Sequence, residues 1–124
     1  MAIDFAVWDE RVDDQTQVVS VRGEIDLFTA PEFKQRIAEA IERGRRRVVV
    51  DLSAATFIDS SSLGILISSH KRLRLENGRL VVACDVPAIL NVFKITGLDG
   101  VLDIEPTREE AVGHALDGDA EPVA

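Results

Sequence analysis

Phe57-Ile58-Asp59-Ser60-Ser61-Ser62-Leu63-Gly64 decides how this chain is read. It follows an apolar run, Val48-Val49-Val50-Asp51-Leu52, that reads as a buried strand. It precedes Leu63, Leu66, Ile67, His70 and Leu73, which are spaced as one face of a helix. The octet therefore lies at a strand-to-helix junction. Serine at a helix start caps free backbone N–H groups. The same place suits a phosphate, because those N–H groups and the positive end of the helix dipole converge there. Function turns on whether these serines are caps, a nucleophile or a phosphorylation switch.

Outward from the junction, strands and helices alternate. Ile3 to Val7 reads as a first strand, and Gln17 to Val21 as a second that ends at Gly23. Thr29 or Ala30 caps a helix with Pro31 in its first turn, and Phe33, Ile37, Ala40 and Ile41 share one face. Gly44 stops it. Val48 to Leu52 is a third strand, apolar enough to be covered on both sides. The second helix spans Ser61 to Arg74, and Asn77-Gly78 makes the next turn. Leu80 to Cys84 is the fourth strand. Pro87 opens a third helix, with Ile89, Leu90 and Phe93 inward, and Gly97 closes it. Val101 to Ile104 is a short fifth strand. Thr107 and Glu110 have capping-box spacing and begin a last helix that fades near Asp117-Gly118. Crossover connections give parallel neighbours. The expected fold class is α/β: a single domain over residues 1–118, with a small, mostly parallel mixed sheet of about five strands and about four helices. Residues 119–124 read as a flexible C-terminal tail.

Composition narrows the partners. At 124 residues and 46% apolar content the chain suits one globular domain with its own core. A net charge of −8 argues against nucleic acid, whose phosphates require a basic face. The basic cluster Arg43, Arg45, Arg46 and Arg47 falls between a helix and a strand and reads as a solvated turn that complements the helix C-terminus. No apolar run reaches the roughly 18 residues that span a membrane, and Met1 to Phe5 lacks the pattern of a secretory signal. A cytoplasmic address is expected. Cys84, the only cysteine, sits in an apolar strand and reads as a small core residue.

Enzymatic readings fail on spacing. A nucleophile elbow needs Gly-x-Ser-x-Gly, whereas Asp59 and Ser61 flank Ser60. His70 lies about 15 Å along the same helix at the standard rise, out of reach of Ser60. His114 falls in the last helix, and both histidines read as structural. Glu24 and Asp26, or Asp51 and Asp59, lie near strand ends, but no histidine pair or second thiol completes a metal site. No glycine pattern of a nucleotide loop occurs. No catalytic residue, metal or cofactor is expected. A phosphate on Ser60 would add about −1.5 to −2 charges beside Asp59, enough to disrupt an interface without unfolding the domain.

Gly23-Glu24-Ile25-Asp26, the strand Val48 to Leu52, the octet itself and Ile89-Leu90-Asn91-Val92-Phe93-Lys94-Ile95-Thr96-Gly97-Leu98 together resemble the anti-sigma factor antagonists, bacterial STAS-domain proteins. The likeness runs from about residue 3 to residue 117. It implies partner switching in a bacterial stress response: the unmodified antagonist binds an anti-sigma factor, often a serine kinase, and frees a sigma factor for transcription. The kinase phosphorylates the serine that follows the aspartate, and a PP2C-type phosphatase reverses this. Carried over, the acceptor is Ser60, with Ser61 the next choice. Asp26, Asp59, Ser60, Ser61 and Ser62 form the partner-binding surface. Ser62 departs from the family, which usually has glycine there, and so adds bulk and a third hydroxyl. The alternative is a STAS scaffold, never phosphorylated, in a stress-signalling or transporter-associated complex.

Overall fold

A computed structural model describes residues 4–120, with side chains described through Asp117. Val18 to Val21, Val48 to Val50 and Leu80 to Val82 are buried, mostly β-branched runs, and they form the centre of a five-stranded sheet. The strands are β1 (Ala6–Arg11), β2 (Thr16–Ile25), β3 (Arg47–Ile58), β4 (Arg79–Ala83) and β5 (Asp103–Glu105), lying side by side in chain order. β1 pairs antiparallel with β2, and every later pair is parallel. The helices are α1 (Ala30–Glu42), α2 (Ser60–Leu75), α3 (Pro87–Thr96) and α4 (Arg108–Ala120), with a short 3-10 turn at Leu98–Gly100.

Each parallel strand is added on the same side of its predecessor. Right-handed crossovers therefore place α1, α2 and α3 on one face of the sheet. Side-chain alternation fits this two-layer demand. Val19, Val48, Val50, Leu80 and Val82 join Phe33, Ile37, Leu66, Leu73, Ile89 and Phe93 in the larger core. Their neighbours Val18, Val49 and Val81 point the other way and pack on Ala111 and Ala115 of α4. Cys84 is buried, and desolvation pushes its thiol up, as a core position requires.

Two glycines are dictated by geometry. Gly97 ends α3 in the left-handed conformation, φ 77°. Gly78 follows α2, and a Cβ there would lie 2.4 Å from the Arg46 carbonyl oxygen.

Several boundaries move. β1 lies at Ala6–Arg11 rather than Ile3 to Val7, because the hairpin with β2 pairs Ala6 with Arg22 and Arg11 with Gln17. Residue 3 lies outside the described residues. β2 passes through Gly23 to Ile25, and β3 runs six residues beyond Leu52. The cause is long-range: Arg22, Gly23, Glu24 and Ile25 pair with Ala54, Ala55, Phe57 and Ile58 across two register shifts. α2 buries Ser62, Ile65, Leu66, Ser69 and Leu73, and Leu63 and Ile67 pack partly buried against the same core, so the expected face is widened toward Ser62 and Ile65. α4 continues to Ala120, past the expected fade at Asp117, so residues 119 and 120 of the expected tail are helical. Residues 121–124 lie outside the described residues.

The arginine cluster is bonded rather than merely solvated. Arg45 reaches Gln17 Oε1 (2.9 Å) and the Asp14 carbonyl (2.8 Å). Arg46 donates to the Glu76 carbonyl, and Arg47 to Thr16 Oγ1 at 2.7 Å. These contacts stitch the turn at the N-terminal end of β3, the end opposite the serines.

Candidate functional site

The site lies where β2 and β3, adjacent and parallel, both end. The loop from β2 to α1 carries Asp26, and the junction from β3 to α2 carries Asp59 and the serines. Crevices at the carboxyl ends of parallel strands are where open α/β sheets place their sites.

Asp59, not a serine, caps α2. Its backbone is extended (φ −120°, ψ −174°), and its Oδ1 accepts the Ser62 N–H at 3.1 Å. Of the roles the sequence left open for the serines, capping falls to the neighbouring aspartate instead. A carboxylate caps at least as well, and it adds a favourable charge at the helix dipole. With Asp59 fixed as the cap, helical rotation separates the serines. Ser60 is exposed, Ser61 is half-buried and Ser62 is fully buried at 0% exposure. The Ser62 hydroxyl lies 3.0 Å from the Ile25 carbonyl oxygen and 3.1 Å from Asp59 Oδ1, two acceptors sharing one hydrogen. Ser62 therefore offers no bulk or hydroxyl to a visitor; the expectation that it lines the binding surface is corrected by its burial.

Asp26 is held by its own loop. Its Oδ1 accepts N–H groups from Phe28 (2.9 Å) and Thr29 (3.0 Å). Thr29 Oγ1 accepts the Asp26 N–H at 2.8 Å and donates to the Glu24 carbonyl at 2.9 Å. These bonds, the one from the Thr29 N–H foremost, hold the Asp26 carboxyl below the usual aspartate range. The loop so fixed presents Leu27 at 70% and Phe28 at 89% exposure. Sequence patterning missed both, since two adjacent apolar residues outside any period carry no signal of which way they face. Phe57, paired with Glu24 across β2 and β3, is also exposed.

Both histidines and Asp51 lie elsewhere. His114 Nδ1 is 2.7 Å from Glu105 Oε2, joining α4 to β5. His70 Nδ1 is buried without a hydrogen-bond partner. Asp51 is mid-strand rather than at a strand end, and it accepts the N–H and hydroxyl of Ser53 at 3.0 and 2.6 Å. Among the described residues, no group of three or more His, Cys, Asp or Glu side chains is placed to hold a metal ion. None of the helices there is long and apolar enough to cross a membrane.

The junction thus combines an exposed hydroxyl at a capped helix start with a hydrogen-bonded acidic loop that bears bare apolar side chains. The STAS domain family model matches residues 8–111, and the chain belongs to that family. Known proteins of this family supply close parallels. The anti-sigma-B factor antagonist of Listeria monocytogenes is 30% identical over 96 residues, 77% of this chain and 84% of that protein. The crystal structure of an anti-sigma factor antagonist from Mycobacterium paratuberculosis superposes with a TM-score of 0.82 at 34% identity, over 90% of this chain and 94% of that one. The anti-sigma factor antagonist SpoIIAA is similar in two states, each at 26% identity and covering 88% of this chain. Its unphosphorylated form gives a TM-score of 0.76 over 95% of its chain, and the phosphorylated form of this Bacillus cell fate determinant gives 0.70 over 98%.

Proposed function

We propose that this chain is an anti-sigma factor antagonist switched by phosphorylation of Ser60. Unmodified, it binds an anti-sigma factor through the surface made by Asp26, Asp59, Ser60 and Ser61. That frees a sigma factor. The anti-sigma factor, or a kinase acting with it, phosphorylates Ser60 and the complex dissociates. A PP2C-type phosphatase resets it. The setting is cytoplasmic, and the chain itself supplies no catalysis and needs no cofactor.

The carrying observation is the sorting of the three serines: only Ser60 is exposed, at the first position of α2 and beside the Asp26 loop. The chemistry agrees with a switch. A phosphate at a helix N-terminus meets free N–H groups and the positive dipole end, so the fold tolerates it. Its charge and bulk fall on whatever covers the surface. The existence of a phosphorylated form of SpoIIAA supports the same chemistry in a relative. Ser62, the departure that motivated a phosphate-free scaffold, is buried and leaves Ser60 unobstructed, so it lends that alternative no support.

The test begins with capture of partners from a lysate on unmodified protein, and their identification by mass spectrometry. The captured anti-sigma factor is then titrated with wild type, Ser60→Ala and Ser60→Asp. Wild type and Ser60→Ala should bind alike, and Ser60→Asp much more weakly. Equal binding by all three defeats the switch.

A further inference from the structure

One hydroxyl joins the two halves of this surface. Ser62 stands at the third helical position, fully buried, with Oγ 3.0 Å from the Ile25 carbonyl oxygen and 3.1 Å from the capping Asp59 oxygen. Ile25 ends β2, and the next residue, Asp26, opens the loop that bears Leu27 and Phe28. The loop's other bonds run within it or to the elements it joins: Asp26 with Phe28 and Thr29, Thr29 with Glu24 at the end of β2, and the Ala30 N–H of α1 with the Asp26 carbonyl at 2.8 Å. Among the described residues, the Ser62 hydroxyl is the one α2 side-chain group bonded to β2 or to this loop.

We propose that Ser62 is a positioning residue: its hydroxyl fixes the Asp26–Phe28 tip against the start of α2, so that the tip and Ser60 meet a partner as one preorganised surface. This rests on the function proposed above for the same site. Volume alone does not require a hydroxyl here, since alanine fills nearly the same space in a helix. A buried hydroxyl whose one hydrogen is shared between the cap of its own helix and the end of β2 removes freedom that a partner would otherwise have to freeze on binding. The two acceptors also matter separately. Asp59 ties Ser62 to the cap beside Ser60, and Ile25 ties it to the loop, so motion at either end is transmitted through a single oxygen.

Amide hydrogen exchange on the isolated protein tests this. In Ser62→Ala the amides of Phe28, Thr29 and Ala30 should exchange faster by about 2- to 12-fold, the opening permitted by losing one net hydrogen bond. Amides of Val49 and Val81 in the sheet centre should keep their rates. Unchanged loop rates, or equal acceleration at Val49 and Val81, overturn the proposal. Should Ser62→Ala not fold, the same amides are read in Ser62→Cys, which keeps the volume with a much weaker donor. Affinity for the captured anti-sigma factor is measured separately. Weaker binding by Ser62→Ala supports the docking role, and equal binding despite a loosened loop overturns it. A loosened loop in a protein whose wild type binds no anti-sigma factor leaves the tether standing and removes the functional proposal instead.

Discussion

Replacing Asp59 separates the cap of α2 from its charge. Asp59→Ala removes the acceptor of the Ser62 N–H and one of two acceptors of the Ser62 hydroxyl. The hydroxyl keeps the Ile25 carbonyl, so no buried donor is orphaned on that side. Loss of a side-chain cap costs about 0.5–2 kcal/mol. Loss of a negative charge at the first turn costs about 0.3–1 kcal/mol more. The expected destabilisation is therefore about 0.8–3 kcal/mol, or roughly 3–12 °C in Tm for a domain of this size. Asp59→Asn retains a good cap and loses only the charge, so it should cost about 0.3–1 kcal/mol, and less in high salt. Urea unfolding of the three proteins, with unchanged slope, reads these differences. If Asp59→Ala falls within about 0.3 kcal/mol of wild type, Asp59 does not hold the helix start. The orientation of Ser60 would then need another cause.

Other expectations concern the frame of the site. Gly78→Ala should destabilise the domain by about 1–3 kcal/mol in denaturant titration, because the added Cβ meets the Arg46 carbonyl at 2.4 Å and backbone must move. Leu66→Ala empties a fully buried position on the inner face of α2 and should cost about 2–5 kcal/mol by the same measurement. The Asp26 carboxyl has its pKa lowered in the folded state, so its contribution to stability is present above the unfolded value of roughly 4 and is lost as pH falls through the lower folded value. Asp26→Asn should accordingly flatten the fall of stability below about pH 4, read as Tm against pH.

The order of elements was legible because its signals are local. Runs such as Val18 to Val21 and Leu80 to Val82, and the helical spacing of Phe33, Ile37, Ala40 and Ile41, place these residues in the core whichever neighbours they meet. The second half of β3 was not legible. Ser53, Ala54 and Thr56 are exposed and carry no strand pattern of their own; the partner strand and its two register shifts hold them extended. β1 was displaced for a similar reason, since Asp9, Glu10 and Arg11 are strand only by pairing with β2. At the site, the location of the serines at a helix start was readable, but their individual roles were not. Three identical side chains differ only in helical phase, about 100° per residue. That phase is set by which residue caps the helix. With Asp59 as the cap, Ser60 faces out and Ser62 faces in. The exposure of Leu27 and Phe28 depends on the bonds of Asp26 and Thr29, a turn whose closure no periodicity reports.

Calorimetric titration of the anti-sigma factor with two preparations tests the account most directly: unmodified protein, and protein carrying one phosphate that mass spectrometry assigns to Ser60. The modified protein should keep its thermal stability within about 1 kcal/mol and bind at least about thirtyfold more weakly, the effect of placing repulsive charge inside a docked surface. Equal affinities, or a phosphate found on Ser61 or Ser62 while Ser60 stays bare, would contradict it.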